Sequence, residues 1–288
     1  MAFNSVKSML KAAETQGLPL WEAILEDDRK DRGVSREASL RQMTALWEAM
    51  KSASAGYSPE AHSASGLVGG DGARMRTLRG ETSVGGEFLD SIIAEALSMG
   101  ESNACMKRIV AAPTAGSCGV LPAVLIPLAE RMALSSETVV QSLFVAAGFG
   151  QVIAARASIS GAEGGCQAEI GAASAMAAAA LVCIKNGTPE MSANACAMAL
   201  MNLLGLVCDP VAGLVEIPCV KRNVVGAVNA VSCADMALAG IPSRIPADEV
   251  IDAMRSVGEA MPCALRETGL GGLAATPAGI AAAKKLKG

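Results

Sequence analysis

The chain has 288 residues, enough to bury a substantial core, and carries a net charge of −4 with no cluster of Lys or Arg, so a nucleic-acid partner is not expected. Aromatic residues make up 2% and charged residues 18%, below the usual ~25% charged, and Gly, Ala, Met and Val fill the space instead. The longest uncharged run, 109–129, is broken by Pro113, Pro122 and Pro127, and the stretches 139–155 and 170–184 are dominated by Ala, Gly and Ser, so no membrane partner is expected.

Residues 1–60 hold 17 of the 24 basic and 28 acidic residues, against 12 in the longer stretch 109–233. That contrast predicts an N-terminal helical appendage, residues 1–60, ahead of a densely buried domain, residues 61–288. The appendage reads as two or three amphipathic helices, with Leu20, Trp21 and Ile24, then Leu40, Met43, Leu46 and Trp47, at helical spacing. Residues 53–86, rich in Gly and Ser, read as loop. Helical patterns then cover 87–99, 121–133, 137–156, 167–185, 190–204, 222–239 and 247–260. Asn186-Gly187 supplies a left-handed stop, and Thr188-Pro189-Glu190 supplies a cap, a first-position proline and an acid for the next start. Ile245-Pro246-Ala247-Asp248-Glu249 is a similar start. Alternating β-branched runs are nearly absent, so the expected fold is mainly α: a compact multi-helix domain plus the appendage. The first residues, MAFNSVKSMLKAAE, contain no apolar signal core, and the expected compartment is the cytoplasm.

Nine cysteines in such a compartment stay reduced. Cys183 and Cys196 lie in Ala/Met helical runs and read as core, while Cys105, Cys233 and Cys263 have ordinary helix or helix-end surroundings. Cys166, Cys208 and Cys219 stand where the backbone is punctuated, in Gly164-Gly165-Cys166-Gln167, Cys208-Asp209-Pro210 and Pro218-Cys219-Val220. Glycine lets backbone approach a bulky inorganic group, and proline fixes a turn that aims a thiolate. Cys118, in Gly116-Ser117-Cys118-Gly119, has a comparable setting. No C-x-x-C pair is present, so neither a zinc ribbon nor a ferredoxin-type run is expected. The residues alone leave scattered core thiols standing beside a cluster site.

The stretches ISGAEGGCQAEIGAASAMAAAALV, NLLGLVCDPVAGLVEIPCVKRN and ADMALAGIPSRIPADEVIDAM, with APTAGSCGVLP and ALRETGLGGLAATPAG, closely resemble the iron–sulfur-dependent L-serine dehydratases, in particular the α chain of the two-subunit form. The resemblance covers roughly residues 60–280. It implies a [4Fe–4S] cluster on Cys166, Cys208 and Cys219, held by loops and helix ends. The family commonly has a small residue at the position of Cys118, which removes Cys118 from the ligand set. Three protein ligands leave one iron open as a Lewis acid for the β-hydroxyl of L-serine, with no need for PLP. The resemblance also implies a β subunit with a Ser-Ser-Ser-His-Thr-like segment that completes the active site and brings the α-proton base. His62, the chain's single histidine, does not match that segment and reads as a solvated loop residue.

Softer candidates surround these motifs. Lys221, Arg222 and Asn223 follow a proposed ligand and can hold the substrate carboxylate, or else form a solvated helix start. Thr114 and Ser117 lie in a Pro/Gly turn and can hydrogen-bond substrate or cluster sulfur. The Gly-rich segments 66–72 and 269–272 offer amide nests for an anion, with tight loop packing as the competing reading. Three other readings compete with a dehydratase: a cysteine-desulfidase-like lyase that puts a substrate thiol on the open iron, an electron carrier or sensor, and a structural protein with inert thiols.

Overall fold

The computed structural model describes residues 3–78 and 82–287. Among these residues there is no strand, only an isolated parallel bridge between Cys208 and Arg266, and the mainly α expectation holds. Three helices form the N-terminal part: α1 (Val6–Gln16), α2 (Leu20–Arg32) and α3 (Arg36–Ala55). Ser5 caps α1 by accepting from Ser8 N, and Ser35 caps α3 by accepting from Ala38 N. A second, remote cap sits on α1: the Asp248 carboxylate accepts from Val6 N at 2.8 Å and from Lys7 N at 3.0 Å.

At the centre lies α9 (Ala172–Ile184), in which every residue except Cys183 is buried. A helix that is apolar all round must be enclosed, and its alanines let neighbouring backbones come near. The enclosing helices are α6 (Val120–Met132), α7 (Ser136–Arg156), α10 (Pro189–Met201) and α11 (Cys219–Leu238). Two helical segments, Ser136–Arg156 and Gln167–Ile184, are long and apolar enough to cross a membrane by length and composition alone. They are 67% and 89% buried within the protein's own core, which accounts for their apolarity.

The N-terminal helices share this core. Gly148 of α7 provides the close approach: a Cβ there would lie 2.6 Å from Ile24 Cδ1 and 2.9 Å from Met9 Sδ. A side chain at that position would force the ends of the Ile24 and Met9 side chains to shift.

The predicted starts and stops hold where local chemistry decides them. Asn186 takes a left-handed conformation after α9, and Thr188 caps α10 by accepting from Met191 N. α12 (Ala247–Ala260) has the predicted bounds, with Pro246 in the cap position ahead of the first helical turn. Within the expected loop 53–86, α3 runs on to Ala55, and a short helix, α4 (Asp71–Thr77), forms; residues 79–81 of that segment lie outside the described residues. The reason for α4 is tertiary. Glu101, buried on α5 (Gly86–Ala104), accepts from Asp71 N at 2.7 Å, from Gly72 N at 3.2 Å and from Tyr57 Oη at 2.6 Å. Two further helices complete the chain, α8 (Gly161–Gly164) and α13 (Pro277–Lys287).

Candidate metal centre

Three chain segments meet at one end of the central helices. The first is a tight sequence of turns: α8, then Gly165 at φ +74°, then Cys166 at the head of a π-helical turn, Gln167–Gly171, that leads into α9. Such wide turns put one extra residue into the helix and redirect its side chains. The second segment is extended and carries Cys208, whose amide donates to Leu265 O at 2.8 Å and whose carbonyl accepts from Glu267 N at 2.7 Å. Cys219, in the third, is the first residue of α11, where unpaired helix amides favour a thiolate.

Gln167 sets the first two segments in register. Its backbone amide donates to Leu206 O and its side-chain oxygen accepts from Gly205 N, both at 2.9 Å, just upstream of Cys208. Arg222, one turn into α11, joins all three. Its guanidinium donates to Val207 O at 2.7 Å and to Asp209 Oδ1 at 2.8 Å, on either side of Cys208, and its charge acts on the Cys166 thiol.

The thiols report their own proximity. Burial pushes Cys166 up to about 11, with Arg222 opposing and Glu169 adding to the rise. Burial raises Cys208 as well, and the charges of Cys166, Glu169, Cys219 and Glu267 raise it further. Cys219 is pushed up to about 12 by burial, then by Cys166 and Glu169, against Arg222. Three thiols, two of them buried and one partly so, that repel one another's charge form a donor set that a cationic inorganic core would relieve. Gly161 adds a cradle: a Cβ there would lie 2.7 Å from Glu169 Oε2 and 3.0 Å from Cys208 Sγ. Among the described residues no three His, Cys, Asp or Glu side chains converge to chelate a single ion. Thiolates are the usual ligands of iron–sulfur cores, and three thiols within electrostatic reach of one another are a donor set that fits a [4Fe–4S] cluster.

Comparison with known proteins matches residues 15–274 to the family described as "Serine dehydratase alpha chain". The chain belongs to that family. It is 47% identical to the "Probable L-serine dehydratase, alpha chain" of Bacillus subtilis, over 99% of this chain and 96% of that one. To the "L-serine dehydratase, alpha chain" of Peptoniphilus asaccharolyticus it is 42% identical, over 96% of this chain and 95% of the other. The "L-serine dehydratase" of Streptomyces coelicolor is 37% identical over 94% of this chain, which spans 60% of that longer protein.

Within this serine dehydratase alpha chain the remaining cysteines sit apart. Cys118 is buried, points its thiol at Met99 O 3.8 Å away, and is pushed up to about 12 by burial. Cys196 is buried and Cys183 partly so, both on the central helices, while Cys233 donates to Asn229 Oδ1 at 3.6 Å. Cys105 is half-buried and Cys263 exposed.

The softer candidates divide. Lys221 is 73% exposed and turns away to pair with Asp71. Arg222 comes to the site but spends its donors on the protein, as described above. Asn223 is saturated: it accepts from Gly119 N at 2.8 Å and donates to Gly116 O at 2.8 Å and Cys219 O at 3.0 Å, so it ties the 116–119 turn to the start of α11. Ser117 is buried and closes that turn through contacts with Thr114. Thr114 does reach the thiols' neighbourhood, donating to Glu169 Oε1 at 2.7 Å. His62 is exposed, with Nδ1 3.1 Å from Glu60 O, although its neighbours Ser63 and Ser65 both donate to the buried Glu216, three residues before Cys219.

The Gly-rich segments lie against carboxylates of the chain's own. Glu101 occupies the amides of 71–72, while the Asp209 carboxylate accepts from Leu273 N at 2.7 Å and packs against Gly272. Glu169 was not singled out by sequence reasoning, although it stands in the same GGCQAE motif as Cys166. Its signal was its isolation, since it is the only charged residue between Glu163 and Lys185 in an otherwise uncharged run. Burial raises its carboxyl, Thr114 opposes and Glu267 adds to the rise.

Proposed function

We propose that this chain is the cluster-bearing α subunit of an L-serine dehydratase working in the cytoplasm with a separate β subunit. The observation that carries this reading is the gathering of three motif cysteines, far apart in sequence, into one mutually coupled group bound together by Arg222 and Gln167. Cys166, Cys208 and Cys219 would hold a [4Fe–4S] cluster. Bound by three thiolates, such a cluster supplies an iron without a protein ligand, a Lewis acid that assists departure of the β-hydroxyl. The overall change removes the α-proton and the β-hydroxyl of L-serine as water, giving 2-aminoacrylate. This tautomerises to the imine, which takes up water to yield pyruvate and ammonia.

The chain's own groups prepare the site. Arg222 offsets negative charge at Cys166 and Cys219, the head of α11 favours a thiolate at Cys219, and burial of Cys166 and Cys208 keeps bulk water away. The chain's single histidine lies on an exposed loop, in keeping with an α-proton base on the β subunit. Relatives named as alpha chains match this chain nearly end to end, whereas it spans only 60% of the Streptomyces coelicolor protein; the remainder of such a protein would correspond to the β subunit. Nine free thiols accord with a reducing compartment.

The test is anaerobic purification with the β subunit, followed by iron and sulfide analysis and a pyruvate assay on L-serine and L-cysteine in parallel. Brown protein that bleaches in air and prefers L-serine is expected. Full turnover by enzyme stripped of iron would overturn the reading, and a preference for L-cysteine would move it to a desulfidase.

A further inference from the structure

We propose that Glu169 grips the α-ammonium group of the substrate and so makes the site select α-amino acids over other β-hydroxy acids. This inference rests on Cys166, Cys208 and Cys219 being the cluster ligands, because it places the substrate among them.

Three observations lead to it. First, the carboxylate is held at one end only. Oε1 accepts from Thr114 Oγ1 at 2.7 Å, whereas no described residue donates to Oε2. Second, the free oxygen faces the thiols. Gly161 packs against both Oε2 and Cys208 Sγ, where a Cβ would lie 2.7 Å from the first and 3.0 Å from the second, so the oxygen without a donor stands beside a proposed cluster ligand. Third, the local charge is unbalanced. Glu169 and Glu267 act on Cys208 together with the other two thiols, and the cation at hand, Arg222, is already paired with Asp209. A half-buried carboxylate without a cation is costly, and an incoming ammonium group offsets that cost.

The chemistry of an amino acid then fixes the assignment. Its carboxylate is repelled by Glu169, and its hydroxyl belongs at the open metal site. The ammonium group is what remains to meet a free carboxylate oxygen, in a charge-assisted hydrogen bond.

The experiment uses the anaerobic two-subunit enzyme, wild type and Glu169→Gln, with iron and sulfide content measured on each. Binding of L-alanine and of propionate is measured by calorimetry and as competition against L-serine; both lack the leaving hydroxyl, and only L-alanine carries an ammonium group. The Glu169→Gln enzyme is expected to keep its iron and bind L-alanine roughly 10- to 100-fold more weakly. Propionate binding should hold or improve, and KM for L-serine should rise by more than kcat falls. The proposal is overturned by unchanged L-alanine affinity, by equal losses for both ligands, or by a collapse of kcat with L-alanine affinity intact, which would mark a proton-transfer role instead. Should Glu169→Gln lose iron, Glu169→Asp decides: retained iron with an intermediate loss of L-alanine affinity supports the proposal, and loss of iron there too overturns it. Iron-free or inactive wild type would instead be the failure of the dehydratase reading itself.

Discussion

Arg222 and Asn223 are adjacent in sequence, and their backbones differ by one helical step, yet the first gathers the thiols and the second builds the floor beneath them. Arg222 donates to Val207 O and Asp209, and its charge acts on Cys166. Lysine cannot reproduce a planar fork with several donors, so Arg222→Lys is expected to lower iron content by at least half in anaerobically purified enzyme. Asn223→Ala removes three hydrogen bonds and leaves the buried Gly119 amide without its acceptor. A loss of about 2–4 kcal/mol in stability should follow, read from denaturant unfolding. Among the cysteines, Cys208→Ser should abolish both iron and turnover. Cys118→Ser should retain iron, because that thiol faces α5. Iron analysis of the two variants side by side checks the ligand assignment.

Helices were legible wherever the chain carries its own caps or an unbroken apolar pattern, as at Thr188, Asn186 and the Ala-rich centre. They were not legible where a distant group makes them. The α4 segment, DGARMRT, has no apolar face of its own, and its first amides are satisfied by Glu101 on another helix. The same held for the site. The thiols could be picked out because glycine and proline flank them, but the contacts of Asn223 and the close packing of Gly116 and Gly161 on Glu169 depend on chain crossings that no local pattern encodes. Tyr57 gives the α4 junction a pH signature. Its hydroxyl is driven above its ordinary value by burial and by its bond to Glu101, so the folded state favours the protonated ring. The stabilisation is therefore complete below the ordinary tyrosine pKa of about 10 and is lost as pH rises beyond it. The stability gap between wild type and Tyr57→Phe should stay constant from pH 7 to 9 and shrink above that. In the α8 turn, Gly161→Ala forces a methyl group against Glu169 and Cys208. Iron occupancy should drop there while the helical circular dichroism remains unchanged.

For the molecule as a whole, the sparse charge and small side chains of residues 109–233 go with the burial of α9 and the helices packed around it. A chain whose single histidine lies on an exposed loop should be nearly inactive alone and should gain L-serine turnover on adding the β subunit; strong activity of the isolated chain would place the base within it. The clasp between α1 and Asp248 has a consequence for biogenesis. The first helix receives its remote cap from a residue made some 240 positions later, and Arg156 reinforces the junction by donating to Asp252 and to Asn4 O. During translation α2 and α7 can therefore cover the apolar side of α1 well before its first amides meet Asp248, and the cap closes among the last contacts. Nascent chains halted before residue 248 should show fast amide exchange at Val6 and Lys7, and that sensitivity should vanish once α12 has emerged.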